Sequence, residues 1–148
     1  MLQPLLFGLI AGQRAMTPLS LLAGAARQGK LADDWVGGRL LKHPLGATGA
    51  VGLAALEMAG DKMQSAPDRT VFLGLFARTI TSSFAGAAIA PKGQRLAGAA
   101  VATAAAIASS YAGLALRKRA MARIGRVPSG FAEDALLLGA GAKIAKLV

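Results

Sequence analysis

The uncharged stretch LAGAAVATAAAIASSYAGLAL, residues 96–116, decides the fold class of this chain. It offers no polar face to water, whereas a helix on the surface of a soluble protein should be amphipathic. A helix needs about 20 apolar residues to cross a bilayer. Five basic residues follow within ten positions, at Arg117, Lys118, Arg119, Arg123 and Arg126. A basic segment directly after an apolar one is typical of the end of a membrane span, so the stretch predicts a membrane helix followed by a basic loop over residues 117–130.

The composition of the whole chain agrees with a small helical membrane protein. Of 148 residues, 54% are hydrophobic and only 16% are charged, with mean hydropathy +0.50 and net charge +10. Such hydrophobicity excludes a disordered basic tail, and the lack of cysteine excludes a disulfide-built module. The basic residues flank apolar segments, which disfavours nucleic-acid binding. A tightly packed soluble bundle stays open, because the 34 alanines are also strong helix formers.

Four further apolar segments accompany this stretch, at residues 1–26, 45–60, 71–90 and 131–148. The first is interrupted at Thr17-Pro18, because proline lacks a backbone donor and disfavours helix at the residue before it. No alternation typical of strands occurs. We therefore expect an all-α fold, a polytopic membrane helical bundle of four to five segments with the first one broken near Thr17-Pro18, in a single domain over residues 1–148.

Small residues recur every four positions in two of these segments, and such stripes let another helix approach closely. They are Gly46, Ala50 and Ala54 in one segment, and Ala100, Ala104, Ala108 and Ala112 in the other. We expect helix packing along both stripes and a homo-oligomer.

Ionisable residues inside the apolar segments are the candidates for function. Arg78 lies near the middle of its segment, where an unpaired charge costs about 3 kcal/mol on insertion scales. Glu57 and Asp61 are four residues apart and share one helix face. Arg14 precedes the break. We expect these four to form a central cluster of arginine–carboxylate pairs, either as a polar path for ions or as a lock between helices.

Three more residues join this candidate polar cluster or ion path. Arg14-x-x-Thr17 recurs as Arg78-x-x-Thr81, and internal repeats of this kind occur in transporters. Glu133 and Asp134 follow Ser129-Gly130, so they either cap a helix that starts there or line the path.

The basic residues Arg117, Lys118, Arg119, Arg123 and Arg126 are the predicted contact with anionic lipid. His43 is the one histidine in a chain without cysteine, which makes a zinc site improbable. No set of catalytic residues emerges, so we expect no enzyme, no cofactor and no metal.

Several of these residues together resemble a known family. The motifs are Gly12-x-Arg14-x-x-Thr17-Pro18, Glu57-x-x-x-Asp61-Lys62, Pro67-x-Arg69-Thr70 and Ala132-Glu133-Asp134. In this order they resemble a family of small bacterial integral membrane proteins described only as a domain of unknown function. The likeness extends over nearly the whole chain, and it departs at Gln13 and at residues 63–66. It implies a polytopic membrane protein and supplies no activity.

The leading hypothesis is a multi-pass protein of the bacterial inner membrane that conducts or transports a small ion or solute through its charged centre. The alternative is a non-transporting membrane scaffold or lipid-binding protein. Membrane lipids and further copies of the chain are the expected partners.

Overall fold

The computed structural model describes residues 1–31, 36–63 and 70–146. All regular structure in these ranges is helical, as expected, and no strand occurs in them. The helices of the described ranges are α1 (Leu2–Gln13), α2 (Thr17–Arg27), α3 (Val36–Lys42), α4 (Pro44–Gly60), α5 (Phe72–Ile89), α6 (Arg95–Ile124) and α7 (Arg126–Ile144). The Pro67-x-Arg69 part of the family-like motifs lies outside the described residues.

The predicted break in the first segment is confirmed, between α1 and α2. Arg14 takes an extended conformation (φ −139°, ψ 111°), and Pro18 is the second residue of α2. Proline at this position could not donate to the carbonyl of Arg14, and its ring would clash with that carbonyl in a continuous helix. The chain therefore leaves the helix at Arg14 and starts a new one at Thr17.

After the break, α2 runs back along α1, so that the two helices form a hairpin whose tip is residues 14–16. Gln3 and Ala25 line one small cavity of about 180 Å³, together with Ile89 and Ile144. If α2 continued in the direction of α1, Gln3 and Ala25 would be about 30 Å apart. The start of α1 and the ends of α2, α5 and α7 thus share one end of the bundle, called the base here, and the hairpin tip points to the opposite end.

Glycines let the backbones of α1, α5 and α6 approach closely. A Cβ at Gly8 or Gly12 of α1 would overlap the carbonyl oxygens of Ala102 or Ala106 of α6, which shows that α1 and α6 run in the same direction. A Cβ at Gly86 of α5 would overlap the backbone of Gly98 of α6 in the same way. These three helices therefore form the most closely packed part of the structure.

The two predicted small-residue stripes have different places. Ala50 and Ala54 of α4 are buried, whereas all four alanines of the α6 stripe face outward: Ala100, Ala104, Ala108 and Ala112. Packing within the chain thus uses the α4 stripe and leaves the α6 stripe uncovered.

The basic segment after residue 116 is helical, and the expectation of a loop over residues 117–130 was wrong. Helix α6 continues through it to Ile124, and Gly125 (φ +85°) alone separates α6 from α7. Glycine adopts this left-handed conformation without steric cost, so a single residue makes the corner.

Two helices, α5 and α6, are long and apolar enough to cross a membrane, and α1 is a shorter apolar helix. Only 33% of the apolar window of α5 and 28% of that of α6 are buried within the protein. The core helix of a soluble protein would be mostly buried. Here large side chains such as Phe72 (84% exposed) and Leu96 (86% exposed) point away from the bundle.

We predict that Gly86→Ala lowers the free energy of unfolding by about 1–3 kcal/mol, because the new Cβ forces α5 away from α6. Gly52→Ala is the matched control, since its Cβ would meet no atom within 4 Å. It should leave stability unchanged or raise it by up to about 1 kcal/mol through helix propensity. Thermal unfolding followed by circular dichroism at 222 nm checks this. Equal effects of the two substitutions would contradict the close packing of α5 on α6.

Candidate functional site

A network of eight charged side chains surrounds the hairpin tip. Within the described ranges it contains four cations and four acids. They come from the hairpin, from α4 and the residues directly after it, and from α5, α6 and α7. The members are Arg14, Lys62, Arg78 and Arg117 with Glu57, Asp61, Glu133 and Asp134. Every acidic residue of the described part of the chain belongs to this network. The predicted meeting of Arg14, Glu57, Asp61 and Arg78 is therefore part of a larger, charge-balanced assembly.

Arg14 is the most deeply buried member, with 1% of its surface exposed. Its Nη2 lies 2.9 Å from Asp61 Oδ2 and 2.9 Å from Asp134 Oδ1, and its Nε donates a hydrogen bond of 2.9 Å to the same Asp134 oxygen. Lys62 contacts the other Asp134 oxygen and also donates to the carbonyl of Met58 at 2.8 Å. One guanidinium thus joins the hairpin tip to the end of α4 and to α7.

Glu57 binds the backbone donors that the helix break releases. In a continuous helix the N–H groups of Ala15 and Met16 would donate to carbonyls four residues earlier. Instead they donate to the two carboxylate oxygens of Glu57, each at 2.8 Å. A single carboxylate therefore replaces two lost helical hydrogen bonds at the tip.

Arg78 supplies the donors for the other side of the break. The carbonyl of Gly12, which would otherwise accept from Met16, accepts from Arg78 Nε at 3.1 Å and from Ser110 Oγ at 3.1 Å. Arg78 Nη1 also donates to the carbonyl of Gly74 at 2.9 Å, while Nη2 lies 3.9 Å from Glu57 Oε1. That last separation is too long for a hydrogen bond, whereas the two contacts with backbone carbonyls are within hydrogen-bond distance.

Arg117 is a member that the sequence did not reveal. It was expected to contact anionic lipid, but it is buried, and its two terminal nitrogens lie 2.5 Å from Asp61 Oδ2 and 2.5 Å from Glu133 Oε2. This corrects its assignment to the lipid-contact group. Arg117 follows an apolar stretch and opens a basic run, and neither feature distinguishes a buried arginine from an exposed one.

Glu133 and Asp134 belong to the network rather than to a helix cap. They were expected either in a first turn or along a path, but α7 begins at Arg126 and has no acidic residue in its first turn. The cap interpretation was wrong because the helix starts at the Gly125 corner and not at Ser129-Gly130.

The other predicted residues lie around this network. Thr17, the first residue of α2, is fully buried, and its hydroxyl has no hydrogen-bond partner in the described part of the chain. Lys118, Arg119 and Arg123 remain exposed on the last turns of α6. Arg126 is half-buried and donates to the carbonyl of Met63 at 3.3 Å. In the described ranges no group of three His, Cys, Asp or Glu side chains could hold a metal ion.

A groove of about 570 Å³ leads from the outside of the bundle to the network. It lies between α6 and α7, which diverge from the Gly125 corner, and α1 forms its floor. Its walls are mainly apolar, with Ile10, Ala112, Leu116, Ile124 and Leu136 among the lining residues. Arg117 and Glu133 lie in its inner wall. This α6–α7 groove was not predicted, since it depends on the angle between two helices.

We predict that Asp134→Asn lowers the free energy of unfolding by about 3 kcal/mol, because it leaves Arg14 and Lys62 with one carboxylate fewer in a buried site. Adding Lys62→Gln restores the charge balance. The double variant should therefore lose less stability than the sum of the two single variants, by about 1 kcal/mol or more. Chemical denaturation of the four proteins measures this coupling, and additive losses would contradict a shared network.

In comparisons with family models, curated proteins and solved structures, no match to this chain was found. The resemblance to the family of small bacterial membrane proteins therefore stays a prediction. The function has to be inferred from the geometry of the hairpin tip and its charges.

Proposed function

We propose that this chain is a multi-pass protein of the bacterial inner membrane and conducts or transports a small ion or solute. The outward-facing apolar surfaces of α5 and α6 support the membrane location, because water would not solvate them. Helices α4 and α7 have 17 and 19 residues, about 25–29 Å of helix; α7 packs against α6, and α4 packs against α2 and α3. In this proposal α4 to α7 span the bilayer, and the α1–α2 hairpin enters from the base without crossing.

The observation that carries the transport proposal is the broken helix itself. Membrane transporters build sites where half-helices meet, because exposed backbone groups there bind ions and substrates. Here the C-terminal end of α1 and the N-terminal end of α2 meet at the tip, with their free groups held by Arg78 and Glu57. A passing ion would compete with these side chains for the same groups.

The balanced network gives such a tip a closed state. Four acids neutralise four cations around it, so opening a path requires the pairs to exchange partners rather than a bare charge to enter the bilayer. Arg14 connects to both Asp61 and Asp134, and each of these also binds a second cation. We propose that this shared pairing allows the tip to move without losing every partner at once.

The second candidate function is a non-transporting scaffold or lipid-binding protein, in which the network only locks the helices. The closed pairing around Arg14 favours it, as do the exposed Lys118, Arg119 and Arg123. The uncovered alanine stripe of α6 offers a close-packing surface for a further copy of the chain. Neither candidate includes an enzymatic step.

The chain contains no cysteine, which permits a direct test of insertion and of the hairpin. We predict that single cysteines at Leu2 and Lys30 react with a membrane-impermeant maleimide from one side of sealed vesicles, and that one at Lys118 reacts from the other side. The two hairpin ends share the base, while Lys118 lies beyond the tip. Labelling of Leu2 and Lys30 from opposite sides would show that α1 and α2 cross as one span. Extraction of the protein by an alkaline wash would overturn the membrane location altogether.

We predict that proteoliposomes containing the protein show flux of protons, K⁺ or Cl⁻ above protein-free vesicles. Glu57→Gln combined with Arg78→Gln keeps the formal charge balanced but weakens the two side chains that compete with a passing ion for the backbone groups of the tip, so the flux should rise about tenfold or more. Lys92→Gln, at an exposed residue far from the network, is the control and should leave the flux unchanged.

Dye-based flux measurements on these variants separate the two candidates. Absence of flux of all three ions, with the double variant as stable as the unmodified protein, would contradict transport through the tip. If the double variant is strongly destabilised and no flux is seen, the network only holds the helices together, as the second candidate function requires.

A further inference from the structure

The α6–α7 groove has one apolar part and one basic edge, and the two parts follow each other along α6. Ala112 and Leu116 line the groove, and Arg119 and Arg123 come three and seven residues after Leu116. At 100° per residue these four positions form one continuous ridge of the helix. The two arginines are therefore the next side chains along the same edge of the groove.

No acidic residue of the described ranges neutralises the basic edge. All four described acidic residues lie in the network at the hairpin tip, and Arg119 and Arg123 are both exposed. Lys118 is also exposed, but it lies two residues before Ala120, a lining residue, and so about 200° around the helix on the far side from the groove. Arg119 and Arg123 therefore lie on the edge of the groove, whereas the exposed Lys118 lies outside it.

The height of the arginines matches the membrane boundary that the proposed function assumes. The uncharged residues 96–116 extend over about 31 Å, the thickness of the hydrocarbon core. Ala112 and Leu116 then lie at the edge of the hydrocarbon, and Arg119 and Arg123 lie at the level of the phosphate groups. A volume of about 570 Å³ is within the range of sites that bind one small molecule.

We infer that the α6–α7 groove binds one anionic phospholipid, with an acyl chain against Ala112, Leu116 and Leu136 and the phosphate at Arg119 and Arg123. The inference rests on the membrane location in the proposed function but not on transport. It differs from general attraction of basic residues to a membrane surface, because it requires both the apolar groove and the two arginines on its edge. Arg117, in the inner wall, stays paired with Glu133 and is not a ligand.

The test is native mass spectrometry of the detergent-purified, delipidated protein after incubation with palmitoyl-oleoyl phosphatidylglycerol or with the matching phosphatidylcholine. We expect one phosphatidylglycerol per chain to be retained in preference to phosphatidylcholine. Arg119→Gln with Arg123→Gln should weaken this binding about 30-fold, and Lys118→Gln should not change it. Ala112→Trp fills the groove from an exposed position and should abolish retention, whereas Ala108→Trp, one turn away and outside the lining, should not.

Four results would overturn the inference. If Lys118→Gln weakened phosphatidylglycerol binding as much as the double arginine substitution does, only the overall basic charge would matter for binding. Unchanged retention in Ala112→Trp would show that the groove is empty of lipid. Equal retention of phosphatidylglycerol and phosphatidylcholine would show that the groove does not select an anionic lipid. A lipid-free dimer that dissociates on Ala112→Trp would show that a second copy of the chain occupies the groove. Because these substitutions leave the tip network intact, the flux and labelling experiments report on the proposed function separately.

Discussion

The structure depends on how the backbone is satisfied where Pro18 stops the first helix. In an apolar bundle each unpaired N–H or carbonyl costs several kcal/mol, so the break between α1 and α2 needs partners at once. Glu57 provides acceptors for two N–H groups, and Arg78 and Ser110 provide donors for the carbonyl of Gly12. Both charged partners then need neutralisation or further hydrogen bonds of their own. A local rule about proline thereby fixes charged residues on two other helices and the direction in which α2 leaves.

The charges beyond this pair follow from the same requirement. Arg14 lies in the break itself and is almost completely buried, so it needs carboxylates, and Asp61 and Asp134 supply them. Those two acids would leave an excess of negative charge without Lys62 and Arg117. The result is a network in which no member can be removed alone without leaving a buried charge unmatched, although matched removal is tolerated far better. The position of the hairpin tip is for this reason coupled to the charge state of four other elements.

The helix break and part of the charged network could be predicted from the sequence, because a proline or a charged residue there lies inside an apolar segment. Pro18 inside an apolar segment indicated the break, and Arg14, Glu57, Asp61 and Arg78 were expected to pair because charges inside apolar segments must do so. Arg117 gave no such signal, since it begins a basic run, and its burial depends on how α6 passes the tip. The reversal of α2 was equally hidden. A broken helix can continue or turn back with the same local sequence, and only packing against α4, α5 and α7 decides between them.

The arrangement of the network also determines where the net positive charge of the chain lies. Because the network contains equal numbers of cations and acids, the whole excess of +10 belongs to residues outside it. Among the described residues of this excess, Lys30, Lys92 and Lys146 are exposed at the base, and Lys118, Arg119 and Arg123 are exposed beyond the tip. Here the sides are left to alanine, leucine and phenylalanine, a division between basic ends and apolar sides that matches the layers of an anionic bilayer.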